Sequence, residues 1–328
     1  MQAIVIREPG DENVLQMGEA PDPQPGPEDL LIRVHATAVN RADLLQRRGL
    51  YPPPPGASDI LGLECSGVVE SVGAAVPAGR FEAGDRVMAL LAGGGYAQRV
   101  AVHHGSVMHV PDALDLTAAG GFPEVQLTAY LNLFMLGGIT SGGAALVHGG
   151  GSGVGTAAIQ QLREAGAKVY VTAGSAEKCA RCLELGATAA IDYKQEDFAE
   201  RIRELTGGRG VDVVLDPIGG SYFARNVASL ATGGRLVIIG LTGGASAEIN
   251  LAVLMTKRLH VVGSTLRARP VAEKAAIVAS FVERFGDAVA AGRIGVTVDR
   301  VLPLAQAADA HRALAASEHF GKVILKVD

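Results

Sequence analysis

Between residues 144 and 265 the apolar positions switch repeatedly between short continuous runs and helical spacing. The runs at 144–148, 168–173, 189–192, 211–216, 234–240 and 260–265 are short and rich in Val, Ile, Leu and Ala. That is the pattern of strands buried on both faces. Helices are predicted between most of them, at 154–165, 176–185, 196–206 and 220–230. In the first, Val154, Ala158, Ile159, Leu162 and Ala165 recur at helix spacing and line one face. Strand–helix alternation on this scale predicts a doubly wound parallel sheet.

The flanking regions read differently. Residues 1 to about 120 carry short β segments such as 29–35, 67–72 and 85–90. Turn signals at Pro25-Gly26-Pro27, Gly84-Asp85 and Gly93-Gly94-Gly95 separate them, so a β-rich, barrel-like domain is predicted. Helix begins near Asp115. The tail adds a long helix at 271–289, a short one at 305–315 and a last strand at 322–325. Pro52-Pro53-Pro54-Pro55 predicts a stiff extended surface loop.

The segment from Val147 to Gly155 closes the first strand of the alternating region and opens its first helix. A strict G-x-G-x-x-G would need glycine at His148 or Thr156, but Gly150-x-x-Gly153-x-Gly155 can do the same physical work. Glycines at such a turn let a pyrophosphate approach the backbone and rest on the positive helix N-terminus. About twenty residues further on, dinucleotide folds place a carboxylate against the ribose 2′-hydroxyl. This chain has Gly174 and Ser175 there, with Lys178 close behind. A 2′-phosphate would be tolerated and attracted, which points to NADPH.

Composition narrows the function. At 328 residues the chain is long enough for two domains. A net charge of −5 without a basic block argues against nucleic acid or an anionic membrane surface as the main partner. Aromatics at 4%, with no Trp, leave no aromatic–basic interleaving of the RNA-reading kind. Apolar runs such as 236–241 fall far short of the roughly 20 residues of a membrane span. The first seven residues resemble a short strand and lack the apolar region of a secretory signal. Three cysteines suggest a reducing compartment, so a cytoplasmic protein is expected. Cys179 and Cys182 have redox-motif spacing but fall inside a predicted helix, and with Cys65 they read as buried core. His103-His104 has no nearby ligand set in the sequence and reads as surface or strand.

Several segments carry a resemblance to a known family. They are Asn40-Arg41-Ala42-Asp43-Leu44, the run from Tyr51 to Ser58, Ile60-Leu61-Gly62-Leu63-Glu64, Met88-Ala89-Leu90-Leu91, the run from Ser152 to Gln160, and Thr172-Ala173-Gly174-Ser175. Together they resemble the zinc-free, zeta-crystallin-like quinone oxidoreductases of the medium-chain dehydrogenase/reductase superfamily, over essentially the whole length. The resemblance implies a GroES-like β-barrel catalytic domain (1–120 and 267–328) and a Rossmann NADPH-binding domain (121–266). Zinc members place a cysteine near the start of the segment here reading Asn40 to Asp43, and a histidine in a Gly-His-Glu triplet. This chain has Asn40 and Gly62-Leu63-Glu64, so no metal is expected. Glu64 is then expected to bond backbone or a neighbouring Arg.

The resemblance also implies site roles. Gly151, Ser152, Gly153, Val154 and Gly155 would cradle the pyrophosphate. Gly174, Ser175, Lys178 and Tyr193 would surround the 2′-phosphate. Ile218 would lie near the adenosine, Gly240, Leu241 and Thr242 along the nicotinamide ribose, and Thr265, Leu266 and Arg267 near the carboxamide, with Arg267 at the substrate mouth. Asn40, Tyr51 and Thr128 would form the catalytic side. The implied reaction is reduction of a small-molecule quinone by NADPH in the interdomain cleft of that family. The alternative is an enone or enoyl-thioester reductase with Tyr51 as proton donor, its carrier phosphate met by Arg41, Arg47, Arg48, Arg267 and Arg269. A homodimer or dimer of dimers, paired through an edge strand within 234–265, is expected.

Overall fold

The computed structural model describes residues 1–327. The chain folds into two compact units, Met1–Leu127 with the chain from Leu266 onward, and Thr128–Thr265. The first unit begins with strands β1 (Gln2–Val5), β2 (Gln16–Glu19), β3 (Asp29–Ala38), β4 (Glu64–Val72), β5 (Arg86–Leu90), β6 (Arg99–His103) and β7 (Val107–His109). Helices α1 (Arg41–Arg47) and α2 (Leu116–Ala119) lie among and after them, and α3 (Pro123–Tyr130) leads out. Strand β3 is the spine. Leu30, Ile32, Val34 and Ala36 alternate inward and are buried. Register shifts at Leu31/Ile32 and Val34/Ala36 bend it, as bulges do. Its first half pairs antiparallel with β6 and most of its length with β4.

The second unit carries a six-stranded parallel sheet. Its strands are β8 (Ala144–His148), β9 (Lys168–Ala173), β10 (Ala189–Asp192), β11 (Val211–Asp216), β12 (Leu230–Ile238) and β13 (His260–Gly263). Their order is β10-β9-β8-β11-β12-β13. Helices α4 (Gly153–Glu164), α5 (Ala176–Leu185), α6 (Phe198–Leu205), α7 (Phe223–Ser229) and α8 (Leu251–Lys257) connect them. All five residues of β8 are buried, which explains its unbroken apolar run. Leu146, Tyr170, Val214 and Leu236 meet Phe198 and Ile202 of α6 and Phe223 and Val227 of α7 in one core. The strand order reverses between β8 and β11. In such sheets the ligand crevice lies beyond the carboxyl ends at that point.

Most of the alternation expected for this unit is present, with three differences. The strand expected at 234–240 starts earlier, at Leu230, and its pairing with β11 slips between Val211 and Val213. Thr232, Gly233 and Gly234 lie in the slipped stretch, with Gly233 at φ +79°, which hides the early start from a periodicity reading. Helix α8 lies outside the expected set, because none of its residues is buried and it has no apolar stripe to detect. Third, α3 continues into one π-helical stretch, Leu131–Leu136. Arg235 donates Nη1 to the Leu136 carbonyl at 2.7 Å and so satisfies its end.

The tail completes the first unit with α9 (Val271–Ala290), β14 (Val298–Pro303), α10 (Ala307–Ala315) and β15 (Lys322–Lys326). Strand β14 also lies outside the expected set, since its residues are half-exposed or exposed. It pairs with β15, which pairs antiparallel with β3. A buried polar node pins α10 down. Arg47 Nη1 donates to His311 Nδ1 at 3.3 Å, leaving Nε2 to donate to the Tyr96 hydroxyl at 3.1 Å. All three side chains are buried, and burial holds His311 down to about 3, so the imidazole is neutral as this arrangement requires.

Candidate active site

Strand β8 delivers the chain into a turn at Gly149, whose φ of +70° suits glycine. Ser152 caps the following helix, accepting the Gly155 N–H at 3.0 Å. A Cβ on Gly155 would stand 2.2 Å from the Gly149 carbonyl oxygen, so only glycine lets α4 start flush against the loop. Amides in the first turn of a helix have no intrahelical acceptor, and the dipole adds positive potential there. The loop Gly151–Gly155 thus meets the physical requirements of a phosphate cradle.

The tip of β9 lies beside it. Tyr193, just past β10, brings its hydroxyl so close that a Cβ on Gly174 would meet it at 2.8 Å. Ser175 caps α5, accepting the Lys178 N–H at 3.3 Å, and places that lysine in the first turn. Gly174, Ser175, Lys178 and Tyr193 therefore gather at one strand end, with no acid among them. Beyond β11 and β12, two loops zip together. Thr242 N–H donates to Pro217 O at 3.3 Å and Gly243 N–H to Ile218 O at 2.7 Å, while Thr242 Oγ1 also reaches Pro217 O at 3.1 Å. Ile218, Gly240, Leu241 and Thr242 sit in this pair, and Leu241 is exposed. Thr265 ends the unit, exposed, after β13. Thr128 is buried in α3, its carbonyl accepting from Asn132 Nδ2 at 2.8 Å. Leu266 and Arg267 belong to the first unit and are buried.

In the first unit Asn40, expected to be catalytic, stands on a buried ion pair. Lys322 Nζ lies 2.7 Å from Glu64 Oε1, 2.7 Å from Asn40 Oδ1 and 3.3 Å from the Val39 carbonyl. An ammonium only donates, so the Asn40 amide must turn its oxygen to Lys322. Its Nδ2 then donates to Glu64 Oε1 at 2.9 Å. The Glu124 N–H fills Glu64 Oε2 at 2.9 Å. Asp43 holds the start of α1, accepting from Asn40 N at 2.8 Å and Gly62 N at 3.1 Å. Burial pushes the Asp43 carboxyl up to about 6, against those two N–H donors.

Arg267 is buried and braces three segments of the first unit. It donates Nε to Ala92 O at 2.8 Å, Nη2 to Gln46 Oε1 at 2.7 Å and Nη1 to Tyr51 O at 3.4 Å. Its guanidinium carbon also lies 5.4 Å from the centre of the Tyr51 ring. Burial pushes the Tyr51 phenol up and the Arg267 charge opposes it, so the phenol keeps its proton at neutral pH.

Two partners are not legible in the sequence. Glu64 bonds backbone as expected, through the Glu124 N–H, but its cation is Lys322 and not an arginine, and the Asn40 amide joins them. Lys322 itself reads in sequence only as the start of a strand, although a lysine heading the apolar run Val323-Ile324-Leu325 is the available signal. This donor set does not suit tetrahedral zinc. Asn40 and Leu63 supply neither thiolate nor imidazole, and the Glu64 carboxylate is already ringed by an ammonium, an amide and a backbone N–H.

Elsewhere, the fold brings Glu28 to His103 and His104, a neighbour the sequence does not reveal, with ligand atoms all within 4.8 Å. Gly105 N–H donates to His103 Nδ1 and the two rings stack at 4.5 Å. All three cysteines are free and buried, and burial pushes Cys182 up to about 12.

Comparison with known proteins agrees with this geometry. Residues 26–112 match the alcohol dehydrogenase GroES-like domain, and 153–283 match the zinc-binding dehydrogenase family. The quinone oxidoreductase of Rattus norvegicus is 31% identical over 99% of this chain and 97% of its own length. The mycocerosic acid synthase-like polyketide synthase of Mycobacterium tuberculosis is 34% identical over 99% of this chain, which spans only 15% of that relative. Among solved structures, Escherichia coli quinone oxidoreductase complexed with NADPH superposes with a TM-score of 0.87 at 30% identity, covering 99% of this chain and 100% of that one. The CurK enoyl reductase does so at 0.87 and 26% identity, covering 100% and 99%. The chain belongs to the medium-chain dehydrogenase/reductase family, with its GroES-like and Rossmann-like domains.

Removing Lys322 leaves the Glu64 carboxylate buried without its cation. Lys322→Met is expected to lower the free energy of unfolding by about 3–5 kcal/mol, measured by urea denaturation. Adding Glu64→Gln is expected to restore part of that loss. A single variant as stable as the parent would contradict the assigned pairing.

Proposed function

We propose that the chain is an NADPH-dependent, zinc-independent oxidoreductase that reduces quinones. The observation that carries the cofactor choice is the tip of β9, where Gly174 and Ser175 stand in place of an acid at the strand end, with Lys178 and Tyr193 beside them. An acid there would repel a 2′-phosphate, whereas Lys178 attracts it and two hydroxyls are at hand to donate. When bound, NADPH supplies the hydride that reduces the substrate, and the protein's task is to bind and orient. The glycine-rich loop holds the pyrophosphate, and the paired loops at 217–221 and 240–244 hold the sugars. Asn40 and Tyr51 meet the substrate oxygens. Asn40 is held in one orientation by Lys322, and Tyr51 by Arg267. A protonated Tyr51 can donate to the reduced oxygen, and water serves the same end for a quinone.

The second reading is an enoyl-thioester reductase with Tyr51 as the acid, and the likeness to the CurK enoyl reductase favours it. A thioester carrier would require a basic patch for its phosphates. Of the five arginines named for that role, Arg47 and Arg267 are buried and Arg269 is paired with Glu273 at 2.8 Å. Arg41 and Arg48 alone remain exposed, which favours the quinone.

The reading includes a cytoplasmic location, supported by the three free cysteines. Among the described residues no helix is long and apolar enough to cross a membrane. It also includes a homodimer, or a dimer of dimers, through β13. That strand is the edge of its sheet, Val261 on it is exposed, and α8 before it exposes Leu251 and Met255. An uncovered apolar edge of this kind invites strand pairing.

Three outcomes are expected. NADPH oxidation should proceed with 1,2-naphthoquinone, persist in EDTA, and be absent or far slower with crotonyl-CoA; the reverse preference selects the second reading. Lys178→Ala should weaken NADPH by about 1–3 kcal/mol in titration and leave NADH unchanged, the cost of one charge-assisted contact. Equal weakening of both would remove Lys178 from the 2′-phosphate site. Val261→Lys should convert an oligomer to monomer in light scattering, and a parent that is already monomeric excludes the edge-strand pairing.

A further inference from the structure

A buried chain of hydrogen bonds joins the carboxyl ends of three parallel strands. His148, the last residue of β8, stands in register with Thr172 of β9, and its Nδ1 lies 3.0 Å from Thr172 Oγ1. Its Nε2 lies 2.7 Å from Asn226 Oδ1 on α7. Asn226 Nδ2 lies 2.9 Å from Asp216 Oδ2 at the end of β11. The same carboxylate accepts the N–H of Ile218 at 2.7 Å and of Gly219 at 3.1 Å. None of the side chains of His148, Thr172, Asn226 and Asp216 is more than 2% exposed.

The bond directions follow from one end. A carboxylate only accepts, so Asn226 turns its amide nitrogen to Asp216 and its oxygen to His148. His148 Nε2 therefore carries the proton, and Nδ1 accepts from the Thr172 hydroxyl. Thr172 Oγ1 is left to accept in turn, and the Gly149 N–H points at it from 3.4 Å. Every donor finds an acceptor, and the order holds only for a neutral imidazole. The surroundings keep it neutral. Phe198 and Tyr222 present their rings edge-on at 4.7 and 4.9 Å, the Arg225 guanidinium lies over both those rings, and the Asp216 charge is one residue removed, behind Asn226.

Both ends of the chain fall on loops assigned to the dinucleotide. Gly149 opens the glycine-rich loop, and Ile218 and Gly219 open the loop zipped to 241–244. We propose that His148 is a positioning residue for the cofactor, setting the spacing of these two loops through Thr172 on one side and Asn226 and Asp216 on the other. The inference rests on the reading that this unit binds NADPH. Imidazole suits the post because it offers one donor and one acceptor on opposite sides of a rigid ring. Loops ordered before binding spare the complex the cost of ordering them afterwards.

The test combines NADPH titration with amide hydrogen exchange on the free protein, in three variants. Thr172→Val keeps the shape and removes the hydroxyl. His148→Gln keeps a donor toward Asn226 and loses the acceptor toward Thr172. His148→Leu loses both. Thr172→Val and His148→Leu should each weaken NADPH about tenfold, and the double variant should be no weaker than the poorer single, as for groups acting as a unit. Exchange should quicken at Gly149 in Thr172→Val and His148→Gln, and at Ile218 and Gly219 only in His148→Leu. Unchanged affinity and protection in Thr172→Val and His148→Gln overturn the proposal, as do strictly additive losses. If the parent does not bind NADPH, the functional reading fails, while the exchange pattern still decides whether His148 ties the loops together.

Discussion

Glu64 and Asp216 are both fully buried carboxylates, and each must find donors to replace the water it has lost. An ionised group left bare in such a place would cost several kcal/mol, so the surrounding chain is constrained to supply N–H groups. Around Glu64 these are the Lys322 ammonium, the Asn40 amide and the Glu124 backbone. Around Asp216 they are Asn226 and the turn at Ile218 and Gly219. Each acid thereby organises its own unit. One fixes the Asn40 amide, and the other fixes the turn at Ile218 and Gly219.

The sheet order makes the second arrangement possible. Because β8 has β9 on one side and β11 on the other, His148, Thr172 and Asp216 end at nearly the same level. In such sheets the crevice lies where the order reverses, and the glycine-rich turn, the tip of β9 and the paired loops after β11 and β12 all lie at that end of the sheet. The polar residues beneath are inaccessible, whereas Leu241 and Tyr193 on the loops are exposed. The loops at this end of the sheet thus have their roots tied into a dry layer of hydrogen bonds.

The first unit solves a related problem with a cation. The Lys322 ammonium lies against the buried Glu64 carboxylate. The ammonium cannot act as a Lewis acid. It can orient an amide and neutralise a buried charge, and the Arg267 brace does comparable work for the Tyr51 loop.

Period and punctuation in the sequence determined most of the second unit by themselves. Apolar runs at β8, β9 and β11 and the stripe of α4 are local patterns, legible because burial on both faces or on one helical face leaves a repeat. The glycines of the turn and the missing acid at Gly174 and Ser175 were equally local. What lacked a local repeat stayed hidden: α8, with no residue fully buried, and β14, half-exposed or exposed along its length. The pairings at the site were hidden for a different reason. Lys322 meets Glu64 across 258 positions and His148 meets Asn226 across 78. No spacing rule reaches that far, and only the folded sheets, by bringing strand ends to a common level, decide which buried polar groups become partners.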